Sequence, residues 1–172
     1  MKPVMNRVAL ATLAVALPLA NVAAEPFIAH EDLPGTIWAS DGSFGWTDVD
    51  GNGEIIQGIS DGNYLEILGY SDGVFVIKIH WWNEAANLSV VEHGVMVASR
   101  DNSFVYVEAE DVGVDHFPGV RGEGFFRITS DSTARMFQLG HTVDGGAGAF
   151  ATTMTRVEQA PEVPVPQSHP GD

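Results

Sequence analysis

Lys78, His80 and Trp82 are the residues of this chain whose types and spacing come nearest to a chemical arrangement. They occupy alternate positions of the run "VFVIKIHWW" at 74–82, and alternate side chains of an extended strand share one face. Lys78 is the only lysine after Lys2, and its ammonium is costly to bury unless paired. If that face lines a cavity, His80 can act as a general acid or base near neutral pH. Lys78 or Arg127 would then neutralise an anionic or enolate oxygen, with Trp82 as an aromatic wall. If the face is solvated, the same groups are outer-wall residues whose stems lie along apolar surface. The opposite face, Phe75, Ile77, Ile79 and Trp81, is wholly apolar and points to a core. Tyr64, Tyr106 and Phe126, with Trp82 and Arg127, complete the candidate ligand-binding set. Tyr64 and Tyr106 alternate with Leu65, Val105 and Val107, so alternation alone leaves open which side is inward.

Other chemistry is sparse. No nucleophile elbow, Walker loop, dinucleotide fingerprint or His-Glu-x-x-His occurs, and the Gly-rich run near Gly145 lacks the lysine and helix of a phosphate loop. The absence of cysteine removes thiol nucleophiles and thiolate metal sites. His30, His80, His93, His116 and His141 never stand at metal-ligand spacing. Glu92 beside His93 and Asp115 beside His116 do not converge on a strand, because neighbours point to opposite faces. No metal and no cofactor are expected. The nearest imitation of a cation site is "DVDGNGEI" at 48–55, with Asp48, Asp50 and Asn52 at the first ligand positions of a calcium loop. Its last position should carry a bidentate carboxylate but holds Ile59, so a hairpin loop is the plainer reading and weak calcium binding the alternative.

The elements that must position these groups are strands. Gly, Asp, Asn and Ser cluster every ~8–12 residues between short runs rich in β-branched and aromatic residues, the spacing of an all-β domain. The runs cover 36–39, 44–47, 54–58, 64–68, 74–82, 88–92, 95–99, 104–109, 124–129, 134–139 and 149–157. Short helical turns fit only near 28–33 and 83–86. Three copies of Ser-Asp-Gly-x-aromatic begin at Ser40, Ser60 and Ser71. Asp-Gly between strand-like runs suits a type I′ turn, so all three read as turns, not as a calcium repeat. So many short strands must hide their edges, which predicts an antiparallel up-and-down β-barrel of about 8–10 strands, with a β-sandwich as the alternative.

Residues 1–24 read as a cleaved export signal: Lys2 and Arg7, then a short apolar run, then small residues before Glu25. A lead-in at 25–34, a barrel domain at 35–158 and a Pro-rich disordered tail at 159–172 complete the expected organisation, and the location follows as periplasmic or secreted. The run is too short for a spanning helix. The chain carries 23 acidic against 8 basic residues, a net charge of −15, which repels nucleic acid and anionic lipid. The acid-rich loop 108–124 is the candidate lid.

Two stretches resemble known barrels. "GTIW" at 35–38 with Arg156 near the last strand's end resembles the pair that closes calycin barrels such as lipocalins. That resemblance implies that the Arg156 guanidinium packs across the Trp38 indole. "GGAGAF" at 145–150 is similar to a segment of dirigent and allene-oxide-cyclase barrels. Together they imply a barrel that binds a small apolar or amphipathic molecule. The alternatives are a cofactor-free isomerase or cyclase working through a His/carboxylate pair, and an envelope or matrix interaction protein.

Overall fold

In the computed structural model the strand-like runs resolve into ten antiparallel strands. The structure describes residues 26–85, 87–99, 102–110, 121–141 and 147–164. The export signal, the middle of the acid-rich loop with Asp115 and His116, Gly145 and the tail beyond 164 lie outside the described residues. The strands are β1 (Ile37–Ser40), β2 (Phe44–Val49), β3 (Ile55–Ser60), β4 (Gly62–Ser71), β5 (Val74–Asn83), β6 (Leu88–Ala98), β7 (Ser103–Glu110), β8 (Arg121–Ile128), β9 (Thr133–His141) and β10 (Ala147–Val157). β1 pairs with both β4 and β10, and β4 to β10 follow in order, so eight strands close into a barrel.

β2 and β3 stand outside that ring because the first hairpin is longer than the barrel. β1 and β2 are successive parts of one arm, and β3 and β4 of the other: Ala39 pairs with Tyr64, then Phe44 with Ser60. Past the bend β2 stays on β10, from Trp46 opposite Phe150 to Val49 opposite Ala147. β3 is left at the sheet edge.

This changes the meaning of the Ser-Asp-Gly copies. Only the third is a tight hairpin turn, with Asp72 at φ 50 and Gly73 at φ 85 joining β4 to β5, the positive pair that a type I′ turn requires. The first two sit beside each other where the two arms of the first hairpin bend away from the barrel. Gly62 already belongs to β4 and pairs with Trp82. The true first turn lies at 50–53, where the Gly53 N–H donates to the Asp50 carbonyl at 2.9 Å. The two runs at 88–92 and 95–99 are likewise one strand, since β6 continues through Gly94 opposite Ile77.

Alternation divides the molecule into an inside and an outside. Phe75, Ile77 and Ile79 of β5 are wholly buried with Trp38, Leu65, Ile67, Met96, Phe104 and Phe126, as expected for eight strands, whose interior side chains just fill. The lead-in stoppers one end. Its single 3-10 turn, His30–Asp32, precedes the fully buried Leu33, and the His30 ring meets Phe75 at 5.6 Å and Phe104 at 5.8 Å. The outer wall is also largely apolar: Val74, Val76, Val95, Val97, Val105, Val107, Phe125 and Phe137 are exposed and adjoin across strands. The start of the Pro-rich tail is anchored there, where Val163 packs on a cluster of Ala39, Tyr64 and Trp82. No helix among the described residues is long and apolar enough to cross a membrane.

Three aromatic rings lie across glycines of neighbouring strands. A Cβ on Gly58 would strike the Trp46 indole, one on Gly62 the Trp82 indole, and one on Gly124 the Tyr106 ring and the Phe137 carbonyl. Bare glycine backbone lets the sheet curve, and the ring restores the lost packing. Gly124→Ala is therefore expected to cost about 1–3 kcal/mol by overpacking. Gly69→Ala, whose added methyl meets nothing within 4 Å, should stay within ~0.5 kcal/mol of the parent. Urea denaturation of the two variants checks the contrast.

Candidate functional site

The five residues proposed from sequence to bind ligand fall on two faces. Tyr106 and Phe126 are inside and buried, Tyr64 and Trp82 belong to the outer cluster, and Arg127 is exposed on the outer wall. Lys78 and His80 also face outward, on the side of β5 opposite Phe75, Ile77 and Ile79, which is the outer-wall alternative.

On that wall the pairing of β4, β5 and β6 builds a small polar cluster. Lys78 Nζ donates to Glu66 Oε2 at 3.4 Å and sits 5.5 Å from the Tyr64 ring centre. His80 Nδ1 is 3.3 Å from the Tyr64 hydroxyl and Nε2 is 2.7 Å from Ser89 Oγ. Both imidazole nitrogens are thus engaged by protein groups, so His80 holds the wall together instead of presenting a free base. Burial pushes its pKa below the ordinary histidine value, and the Lys78 charge pushes it the same way. Burial opposes the Lys78 ammonium, but Tyr64 and Glu66 outweigh it and hold the lysine above its ordinary value. Arg127 stands opposite Arg135 on β9, at a shallow groove of about 440 Å³ between the exposed Phe125 and Phe137.

The remaining sequence candidates lie at the β1–β10 seam and in the first hairpin. Trp38 and Arg156 are directly opposite in the β1–β10 register. The indole is wholly buried, edge-on to Phe126 at 5.5 Å, and its Nε1 donates to Thr36 Oγ1 at 3.0 Å, whereas Arg156 is exposed. In the 48–53 loop the Asp50 carboxylate accepts from the Asn52 and Glu54 N–H groups at 2.9 and 2.8 Å, and the Glu54 bond foremost lowers its pKa. Asp48 Oδ1 accepts from the Val49 N–H at 2.7 Å. The Asp50 bonds close the turn, whereas Asp48 lies in β2 opposite Gly148 of β10, and no group of three or more His, Asp or Glu among the described residues could hold a metal ion.

The site that sequence reasoning missed is inside, towards the end away from His30. Asn63, Glu92 and Gln138 are buried there, on the inward parity of β4, β6 and β9. The Asn63 amide Nδ2 touches Met136 Sδ at 3.5 Å, which places the side chain across the barrel, and its Oδ1 has no hydrogen-bond partner. An orphaned buried acceptor of this kind costs about 1–3 kcal/mol. Space adjoins it. Gly94 of β6 and Gly122, Gly140 and Gly148 of β8, β9 and β10 share that parity; a Cβ on Gly140 would meet nothing within 4 Å, whereas one on Gly148 would meet the Asp48 carboxyl at 3.4 Å. Two signals were available in the sequence: Asn63 shares parity with Leu65 and Ile67, and Glu92 with Met96 and Val90. Assigning Asn63 to a turn hid the first.

His80 gives a pH signature. Its folded-state pKa is depressed, so its contribution is complete above the unfolded value near 6.5 and is lost as pH falls towards the folded value, where the unfolded chain binds the proton first. Between about pH 7.5 and about pH 5.5 the parent should lose more melting temperature than His80→Gln, which has no titrating ring. Differential scanning calorimetry at the two pH values reads this directly.

No protein-family model matches this chain, and no curated protein matches it. Among solved structures it is similar to a de novo designed transmembrane β-barrel, at 18% identity and TM-score 0.49 over 74% of this chain and 99% of that one. A second similar structure is EF1p2_mFAP2b bound to DFHBI, at 11% identity and TM-score 0.48 over 73% and 94% of the two chains. A third is a redesigned β-barrel, at 14% identity and TM-score 0.43 over 73% and 92%.

Proposed function

We propose that the protein is an exported barrel, periplasmic or secreted and calycin-like in plan, that holds a small amphipathic molecule in the half of its interior away from His30. The observation that carries this reading is Asn63 Oδ1, a fully buried acceptor left without a partner. Folding alone gives no reason to retain it, since an apolar residue there would avoid the desolvation cost. A ligand that donates an O–H or N–H to Asn63 supplies one, with its apolar body against the core and its bulk accommodated beside Gly140. The net charge of −15 disfavours an anion, so a neutral or cationic ligand is the class that fits.

A proton-transfer enzyme is the second reading, and buried Glu92 is what favours it. The His/carboxylate pair it calls for is not assembled among the described residues. His80 is on the outer wall, His93 is exposed, and His30 lies at the stoppered end. Ligand binding is therefore the better supported of the two.

The test uses N-phenyl-1-naphthylamine, a neutral fluorescent amphiphile with one N–H donor, titrated into the purified protein. Asn63→Leu should weaken binding by about tenfold, the worth of one hydrogen bond. The same variant should raise stability to urea by about 1–3 kcal/mol, because the orphaned acceptor is gone. Absence of probe binding to the parent, or binding that Asn63→Leu leaves unchanged, would overturn the reading. Native mass spectrometry of protein from its own host would identify a co-purified occupant.

A further inference from the structure

β3 is the open edge of the sheet, and it carries none of the devices that usually guard an edge. From Ile55 to Ile59 it reads Ile-Ile-Gln-Gly-Ile, with no charge and no proline. Ile55 and Ile59, at 71% and 61% exposure, are the most exposed large apolar side chains among the described residues. Two contacts fix which way its backbone groups point. Asn83 Nδ2 donates to the Ile59 carbonyl at 2.5 Å from the side away from β2, whereas the Gly58 carbonyl lies towards Gly45 on β2. In an antiparallel strand a residue's N–H and C=O point the same way, so Ile55, Gln57 and Ile59 address the open side. Asn83 takes the Ile59 carbonyl and marks where free edge ends. The N–H and C=O groups of Ile55 and Gln57 stand open beyond it.

We propose that this edge is a self-pairing surface, on which a second copy of the chain lays its own β3 antiparallel about a two-fold axis through Ile56. In that register Ile55 faces Gln57 of the partner subunit, and the open backbone groups of the two edges satisfy one another. Ile56 meets Ile56 of the partner subunit at the close, non-hydrogen-bonded position. Ile59 reaches diagonally over Ile55 of the partner subunit on the outer face.

Charge directs a second copy to this edge, and the area sets how tightly it can hold. Two chains of charge −15 repel, and they approach most easily where each is uncharged. The register sets Glu54 opposite Gly58 of the partner subunit. Ile55, Ile56, Ile59 and Val49 offer roughly 400 Å² of apolar surface per copy, about half the ~800 Å² per partner of a standard interface. Edge backbone and Gln57 add to this, so the dimer is a weak one, dissociating at about the micromolar to tens-of-micromolar level.

The chain has no cysteine, which makes the geometry directly testable. The full-length gene product, purified as the cell processes it, is sedimented over a range of concentrations and salt. A monomer–dimer equilibrium is expected, tightening as salt screens the charge. Gln57→Pro removes an edge N–H that faces away from β2, a position where proline is tolerated. It should weaken the dimer at least tenfold with little change in melting temperature. Ile56→Cys should form a disulfide-linked dimer on mild oxidation far faster than Val76→Cys, an exposed control on the barrel wall; this cross-link decides the matter if Gln57→Pro fails to fold. A chain that stays monomeric at every concentration overturns the proposal. So does a dimer indifferent to Gln57→Pro when that variant folds, or Ile56→Cys cross-linking no faster than Val76→Cys.

Discussion

Closure through β1 is the constraint on which the rest of the structure depends. Four residues, Ile37–Ser40, pair with β10 on one side while three of them pair with β4 on the other. Once that ring is closed, every strand has one inward and one outward parity, and each side chain is assigned by its position in the chain. Glu92 and His93 illustrate how strict this is. They are adjacent in sequence, yet Glu92 is buried inside and His93 is exposed outside. A chemistry that needed both could not be built here without breaking the ladder.

The same closure gives glycine two different uses. Gly58, Gly62 and Gly124 are overlain by Trp46, Trp82 and Tyr106, so their missing side chains serve curvature and the rings replace the packing. Gly140, on the inward parity of β9, has no such cover. A covered glycine bends the wall, whereas an uncovered inward one leaves volume. Gly140 and the unpartnered Asn63 oxygen both lie on the inward parity, towards the end away from His30.

The fold was legible from residue pattern because the barrel depends on short alternating runs, and these survive any error in turn assignment. Val74–Asn83 was delimited nearly to the residue, since Asp72 and Gly73 force its start. The site was less legible. Strand alternation states that Lys78, His80 and Trp82 share a face but says nothing about which face is inward. Only pairing against β4 and β6 decides that. The Asp-Gly signal was read uniformly, although a bend in a continuing arm and a tight turn use the same residues. The difference lies in long-range pairing of Ala39 with Tyr64 and Phe44 with Ser60, which no local window contains. Asn63 was lost to that same misreading, because a residue assigned to a turn has no inward parity.

The outer wall shows how an acidic chain can also be an apolar barrel. Val74, Val76, Val95, Val97, Val105 and Val107 are exposed, but their branched side chains hold extended backbone wherever they point. Much of the acidity is displaced to bends and turns: Asp41, Asp50, Glu54, Asp61, Asp72, Glu84 and Asp131 all lie between strands or at their ends. Much of the charge therefore gathers around the strand ends, and the valine and phenylalanine rows of the wall lie beside a few charged groups such as Lys78, Glu66 and Arg127. The uncharged run of β3 is an interruption of that acidic rim, with Glu54 before it and Asp61 after it. Solubility does not require such a gap, and like-charged copies can meet there with least repulsion.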